Sequence, residues 1–219
     1  MRVVRAYVES GVSMAYDVGS AAWVFDVDVW GTCGQGTDEG AALRHLSRLL
    51  GRSARIQVVE LIRGDEQAFE RDRVPCLDSE LERTLAILRR ARAQTVELLR
   101  SVPPAELDSD SLQRELPAFA RWRTLRQMAW HIVDTESRYY LPAAGLRAKP
   151  RHDELFTELT ESAAHVRQQL QAMPADLHVE QRGEVWTAVK LLRRLAWHER
   201  GELAVMRTML EKLHEARSA

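Results

Sequence analysis

Two kinds of hydrophobic periodicity divide this chain near residue 76. Up to that point the apolar positions alternate. Val3-Val4-Arg5-Ala6-Tyr7-Val8 reads as a strand, Trp23 to Trp30 puts Trp23, Phe25, Val27 and Val29 on one face of a second, and Arg55 to Ile62 makes a third. The alternation implies a sheet with one face buried and the other partly wet. Between the second and third strands a glycine-rich turn, Gly31 to Gly36, leads into a run from Asp38 to Leu50. There Ala42, Leu43, Leu46, Leu49 and Leu50 form a helical stripe.

Beyond residue 76 the period changes to 3.6, and no strand is expected. Ser79 and Glu82 read as a capping box that opens a long helix ended by Pro103-Pro104. Thr124 and Gln127 form a second box, starting a helix that carries Leu125, Met128, Ala129, Ile132 and Val133 and stops before Pro142. A third helix spans about 153–173 and a fourth about 185–213. Four amphipathic helices bury their stripes most simply as a four-helix bundle. The expected architecture is therefore an α+β N-terminal module, residues 1–75, followed by an all-α four-helix bundle, residues 77–219. The charged stretch Arg63 to Cys76 reads as the linker.

Composition changes this picture little. With 31 Lys/Arg against 32 Asp/Glu in 219 residues, the formal charge is −1, which gives no field to attract nucleic acid or anionic lipid. The two halves carry −2 and +1, so neither is a basic module. No uninterrupted apolar run suggests a leader or a membrane span. Cys33 and Cys76 are too few for a disulfide framework and wrongly spaced for a thiolate metal site. The expectation is a cytoplasmic, reduced protein with no nucleic-acid or membrane partner.

The fourth helix holds the chemical anomaly. His198 and Glu202 lie one turn apart on the face that also carries Leu191, Leu195 and Met209. An unpaired carboxylate on an apolar line is costly, so Glu202 needs a cation, a donor or a metal. The tripeptide Ala129-Trp130-His131 on the second helix repeats as Ala196-Trp197-His198 on the fourth. If those helices face each other, His131, His198 and Glu202 converge as two imidazoles and a carboxylate, a set that binds a divalent transition metal with positions left open. The competing reading pairs Glu202 with Arg194 or Arg138 and leaves the histidines as core or surface residues.

The stretches Thr124 to Glu136 and Leu195 to Leu203 resemble the two metal-bearing helices of the DinB-like family of four-helix bundles, over about residues 78–213. The resemblance implies a divalent metal, zinc or nickel, held by His131, His198 and Glu202, with Glu202 standing where many members have a second histidine. It also implies metal-dependent thiol S-transferase or mycothiol-dependent maleylpyruvate isomerase chemistry on a small electrophile. A metal there would activate a low-molecular-weight thiol, or alternatively water, as nucleophile. Asp134, one turn after His131, is the candidate catalytic base or supporting group. The expected partners are a small-molecule substrate or thiol and a second copy of the chain in a homodimer.

The N-terminal stretches Val8-Glu9-Ser10-Gly11 and Gly34 to Ala41 are similar to the HicB-like antitoxin fold, with Gly40 where that pattern has glutamate. This resemblance implies a partner-binding module, and with it the alternative function: a non-catalytic sensor or partner-binding protein in which the bundle is scaffold. Gly34-Gln35-Gly36 misses the GxGxxG spacing, and Asp38 and Glu39 follow it, which argues against a phosphate cradle. Trp122, Trp130, Trp186 and Trp197 read as core or rim packing. His45, His152, His165, His178 and His214 read as structural or solvated.

Overall fold

A computed structural model describes residues 2–51, 54–110 and 122–218. The N-terminal region is a four-stranded mixed sheet in the order β3-β2-β1-β4, with one helix: β1 (Arg2–Val12), β2 (Gly19–Trp23), β3 (Cys33–Gly36), α1 (Glu39–Leu50) and β4 (Ala54–Arg63). β1 pairs antiparallel with β2, placing Tyr7 opposite Trp23, and parallel with β4. β2 pairs antiparallel with β3. Asp38 caps α1 by accepting from the Ala41 N–H.

Three elements depart from the periodicity. The strand expected from Trp23 to Trp30 ends at Trp23, because the Asp26 side chain accepts the Asp28 N–H and starts a 3₁₀ turn at Val27–Val29. The sheet is covered on both faces rather than one. Val4, Ala6 and Val8 pack with Ala42 and Leu46 of α1, while Tyr7, Ala21, Trp23 and Cys33 pack with Phe69 and Trp197 on the other side. The expected linker is part of that second layer: Phe69 and Asp72 are buried, and the Asp72 carboxylate accepts from the Phe69 N–H.

The C-terminal region comprises α2 (Asp78–Ser101), α3 (Leu125–Asp134), α4 (Leu141–Ala143), α5 (Leu155–Ala172), a hairpin of β5 (His178–Gln181) and β6 (Glu184–Thr187), and α6 (Ala188–Ser218). A pure four-helix bundle is therefore not what the chain forms. Among the described residues, five helices and a hairpin stand where four helices and no strand were expected. A π-helical segment, Thr135–Tyr140, joins α3 to α4, so the second helix runs through Pro142 instead of stopping before it.

The hairpin turns at Arg182 and Gly183, both at positive φ, and Gln181 ties it down by donating to the carbonyls of Pro142 and Ala143. At the start of α2, Glu80 rather than Glu82 reaches back to a helix-start N–H, that of Leu77, and Ser79 lies inside the helix. The Thr124–Gln127 box forms as the spacing predicts.

The N- and C-terminal regions meet along α6. Gly31, at φ 69°, lies so close to this helix that a Cβ there would come within 2.8 Å of the Ala196 Cβ. Among the described residues, no helix is long and apolar enough to cross a membrane.

Candidate metal centre

α3 and α6 pack side by side, and each brings one histidine to the same point. The Nε2 atoms of His131 and His198 are 3.2 Å apart, and Glu202 Oε1 lies 3.7 Å from the first and 3.8 Å from the second. Donors about 2.0–2.2 Å from a tetrahedral ion stand roughly 3.3–3.6 Å from one another, so this triangle matches one face of such a site. His198 is buried, while His131 and Glu202 are part-buried.

The remaining ring atoms have neighbours that leave Nε2 free to coordinate. His131 Nδ1 is 3.1 Å from Thr135 Oγ1, and Trp122 stacks on the ring at 3.5 Å between centroids. His198 Nδ1 faces Glu136 Oε1 at 3.7 Å. Glu136 is itself fixed by Arg92 at 2.7 Å, and Arg92 also forks onto Glu199 and donates to Leu159 O and Ser162 Oγ. The resulting chain of arginine, carboxylate and imidazole is the outer support that orients a metal-binding histidine.

Electrostatics act in the same direction. Burial lowers the pKa of His131 against the opposing pull of Glu202. Burial, with help from Arg92 and Arg194, lowers that of His198, again against Glu202. Neutral imidazoles keep the lone pair that coordination uses. Next to them, burial pushes the Glu199 carboxyl up to about 8, against the pull of Arg92 and with the help of Glu136.

The three donors open into a cavity of about 910 Å³, within the usual range for small-molecule sites. One wall has Tyr139, Tyr140 and Trp197 from helical segments, with Trp122 from the stretch just before α3. The opposite wall comes from the N-terminal region, with Ser13, Met14, Cys33 and His45.

Several sequence expectations change at this point. Glu202 pairs with neither proposed arginine: Arg194 reaches Glu66 and Glu9, and Arg138 reaches Glu158 and Asp134. Asp134 is held by Arg138 and Arg151 and is absent from the cavity wall. Trp122 and Trp197 line the cavity, whereas Trp186 is core and Trp130 lies beneath Arg151. His45, read as structural, also faces the cavity, where its Nδ1 accepts from the Gln35 N–H.

Sequence reasoning missed the Arg92–Glu136–Glu199 cluster. Its signal was available: Glu199 and Glu136 follow the two histidines by one and five residues. Comparison with protein-family models, curated proteins and solved structures finds no match to this chain.

Proposed function

We propose that the chain is a divalent-metal protein of DinB-like character, with His131, His198 and Glu202 as ligands, and that it acts as a metal-dependent thiol transferase or related enzyme on a small electrophile. The observation that carries this reading is the triangle of donors, 3.2–3.8 Å on a side, opening into the cavity. Zinc or nickel bound by three protein ligands would supply a Lewis acid with open positions that activates a thiol or water.

The protein's own groups do the positioning. Trp122 and Thr135 fix the His131 ring, and Glu136, braced by Arg92, faces His198 Nδ1. Tyr139 and Tyr140 flank the centre with phenols that burial keeps protonated near neutrality. They shape the cavity and do not serve as bases. Asp134, engaged by two arginines, has no base role in this reading.

Elemental analysis of purified protein tests the proposal. Near-stoichiometric zinc or nickel is expected, lost in His198→Ala. Glu202→His should keep metal, because imidazole coordinates from the same position, and Glu202→Gln should weaken it. A folded parent protein that takes up neither zinc nor nickel overturns the reading.

A further inference from the structure

The cavity wall contains a cation with no acidic partner among the described residues. Arg194, the other arginine on that wall, is neutralised by Glu66 at 3.0 Å and Glu9 at 3.5 Å. Arg200 is half-buried on the cavity wall, and its charged neighbour is another cation, Arg83. A protein gains nothing from holding a charge in this way unless something else supplies the anion.

The shape of α6 connects this cation to the metal ligands. At about 100° per residue, the stretch of helix surface running from Glu202 through His198, Gly201 and Trp197 to Arg200 covers roughly 200°, and all five residues line the cavity. Gly201 sits near the middle of that stretch, and a Cβ there would find only Trp197 Nε1, at 4.0 Å. The missing side chain leaves a groove between the two ends. The body of the groove is aromatic, with Trp122 and Trp197, and the N-terminal region closes it opposite α6.

We propose that the cavity contains an oxyanion subsite at Arg200, which binds the carboxylate or phosphate of a small aromatic or apolar molecule whose other end lies toward His131, His198 and Glu202. The guanidinium fork suits either oxyanion, and its hydrogen bonds are charge-assisted. The subsite stands on Arg200 and the groove, and only the placing of the reactive end rests on the metal reading. The N-terminal region then acts as a wall of the substrate site.

Calorimetric titration with benzoate, phenyl phosphate and the neutral benzamide tests this, using zinc-loaded and chelator-stripped protein. Both anions, or the one that matches the natural group, should bind about tenfold more tightly than benzamide. The tighter anion identifies the oxyanion. Arg200→Gln should abolish the preference with zinc stoichiometry unchanged, and Arg200→Lys should retain part of it.

A preference that survives Arg200→Gln but disappears on stripping the zinc would mean that the anion binds metal, and overturns the subsite. Equal or undetectable binding of all three probes to the parent also overturns it. If the protein takes up no zinc yet keeps an anion preference that depends on Arg200, the subsite stands and the metal reading falls.

Discussion

The first and second turns of α6 and the turns that follow them treat charge in opposite ways. Lys190, Arg193 and Arg194 are buried, and each meets carboxylates contributed by the N-terminal 76 residues: Glu66 at 2.9 Å from Lys190, Asp72 at 2.7 Å from Arg193, and Glu66 with Glu9 around Arg194. Aromatic faces complete their surroundings, with Arg193 4.4 Å from the Trp23 ring centre and Lys190 4.5 Å from that of Trp186. One turn later, His198, Arg200 and Glu202 line a cavity. The first group holds the two halves of the molecule together, while the second borders open space. Burial alone does not distinguish them, since His198 is as buried as Arg193. The difference is that the first three sit within ion pairs between the two halves, while the later three reach the cavity wall.

That contrast breaks most readily at Asp72. Asp72→Ala strands the Arg193 guanidinium in the interior and should cost about 3–5 kcal/mol in urea unfolding. A change below about 1 kcal/mol would show that the pair does not hold the halves together.

The proposed metal centre gives the next largest effect. Zinc at about 100 times its dissociation constant should add about 2.7 kcal/mol to the parent, visible as a higher Tm, and nothing to His198→Ala. Equal stabilisation of both would place the ion elsewhere.

A third test uses acid. Burial pushes the Glu66 carboxyl up, but Arg194 and Lys190 together pull it below the usual carboxylate range. With the folded value below the unfolded one, its contribution is full above the ordinary carboxylate pKa and is lost as pH falls through the folded value. Glu66→Gln should remove that part of the acid dependence, measured as unfolding free energy against pH. An identical slope in parent and variant would count against the pairing. The smallest effect is expected at Arg200. Arg200→Gln relieves the conflict with Arg83 and should leave Tm unchanged or slightly higher, within about 0.5 kcal/mol, whereas a clear loss would reveal a structural partner.

The sequence showed the convergence of His131, His198 and Glu202 better than the fold around them. His198 and Glu202 share a helix face by spacing alone, and the Ala-Trp-His repeat pointed to His131 as their complement. Helices α1, α2, α3, α5 and α6 each left a stripe, and β1 and β4 an alternation, because each of these elements buries a continuous face. The hairpin left little trace: β5 has a single apolar residue, Val179, and its turn is Arg182-Gly183 instead of the Asn-Gly or Asp-Gly that usually marks one. The segment before α2 looked like a linker because Glu66, Arg71, Asp72 and Arg73 are charged. Composition does not reveal that two of those charges are buried against partners more than a hundred residues away. Long-range pairing of this kind has no local signature.

The π-helical turn between α3 and α4 sets the phase of everything after His131. Before it, Met128, Ala129 and Ile132 belong to the core formed with Leu99 and Met206; after it, Tyr140, Leu141 and Ala143 belong to another, around Trp30 and Trp186. A π turn is in effect a one-residue insertion into an α-helix. Straightening Thr135–Tyr140 into regular α-helix with all its residues kept would rotate the later residues by about 100° relative to His131. Tyr140 would leave the cavity and Leu141 its core, while His131 stayed where it is. The irregular turn lets one continuous helix serve two interiors that are out of step with each other.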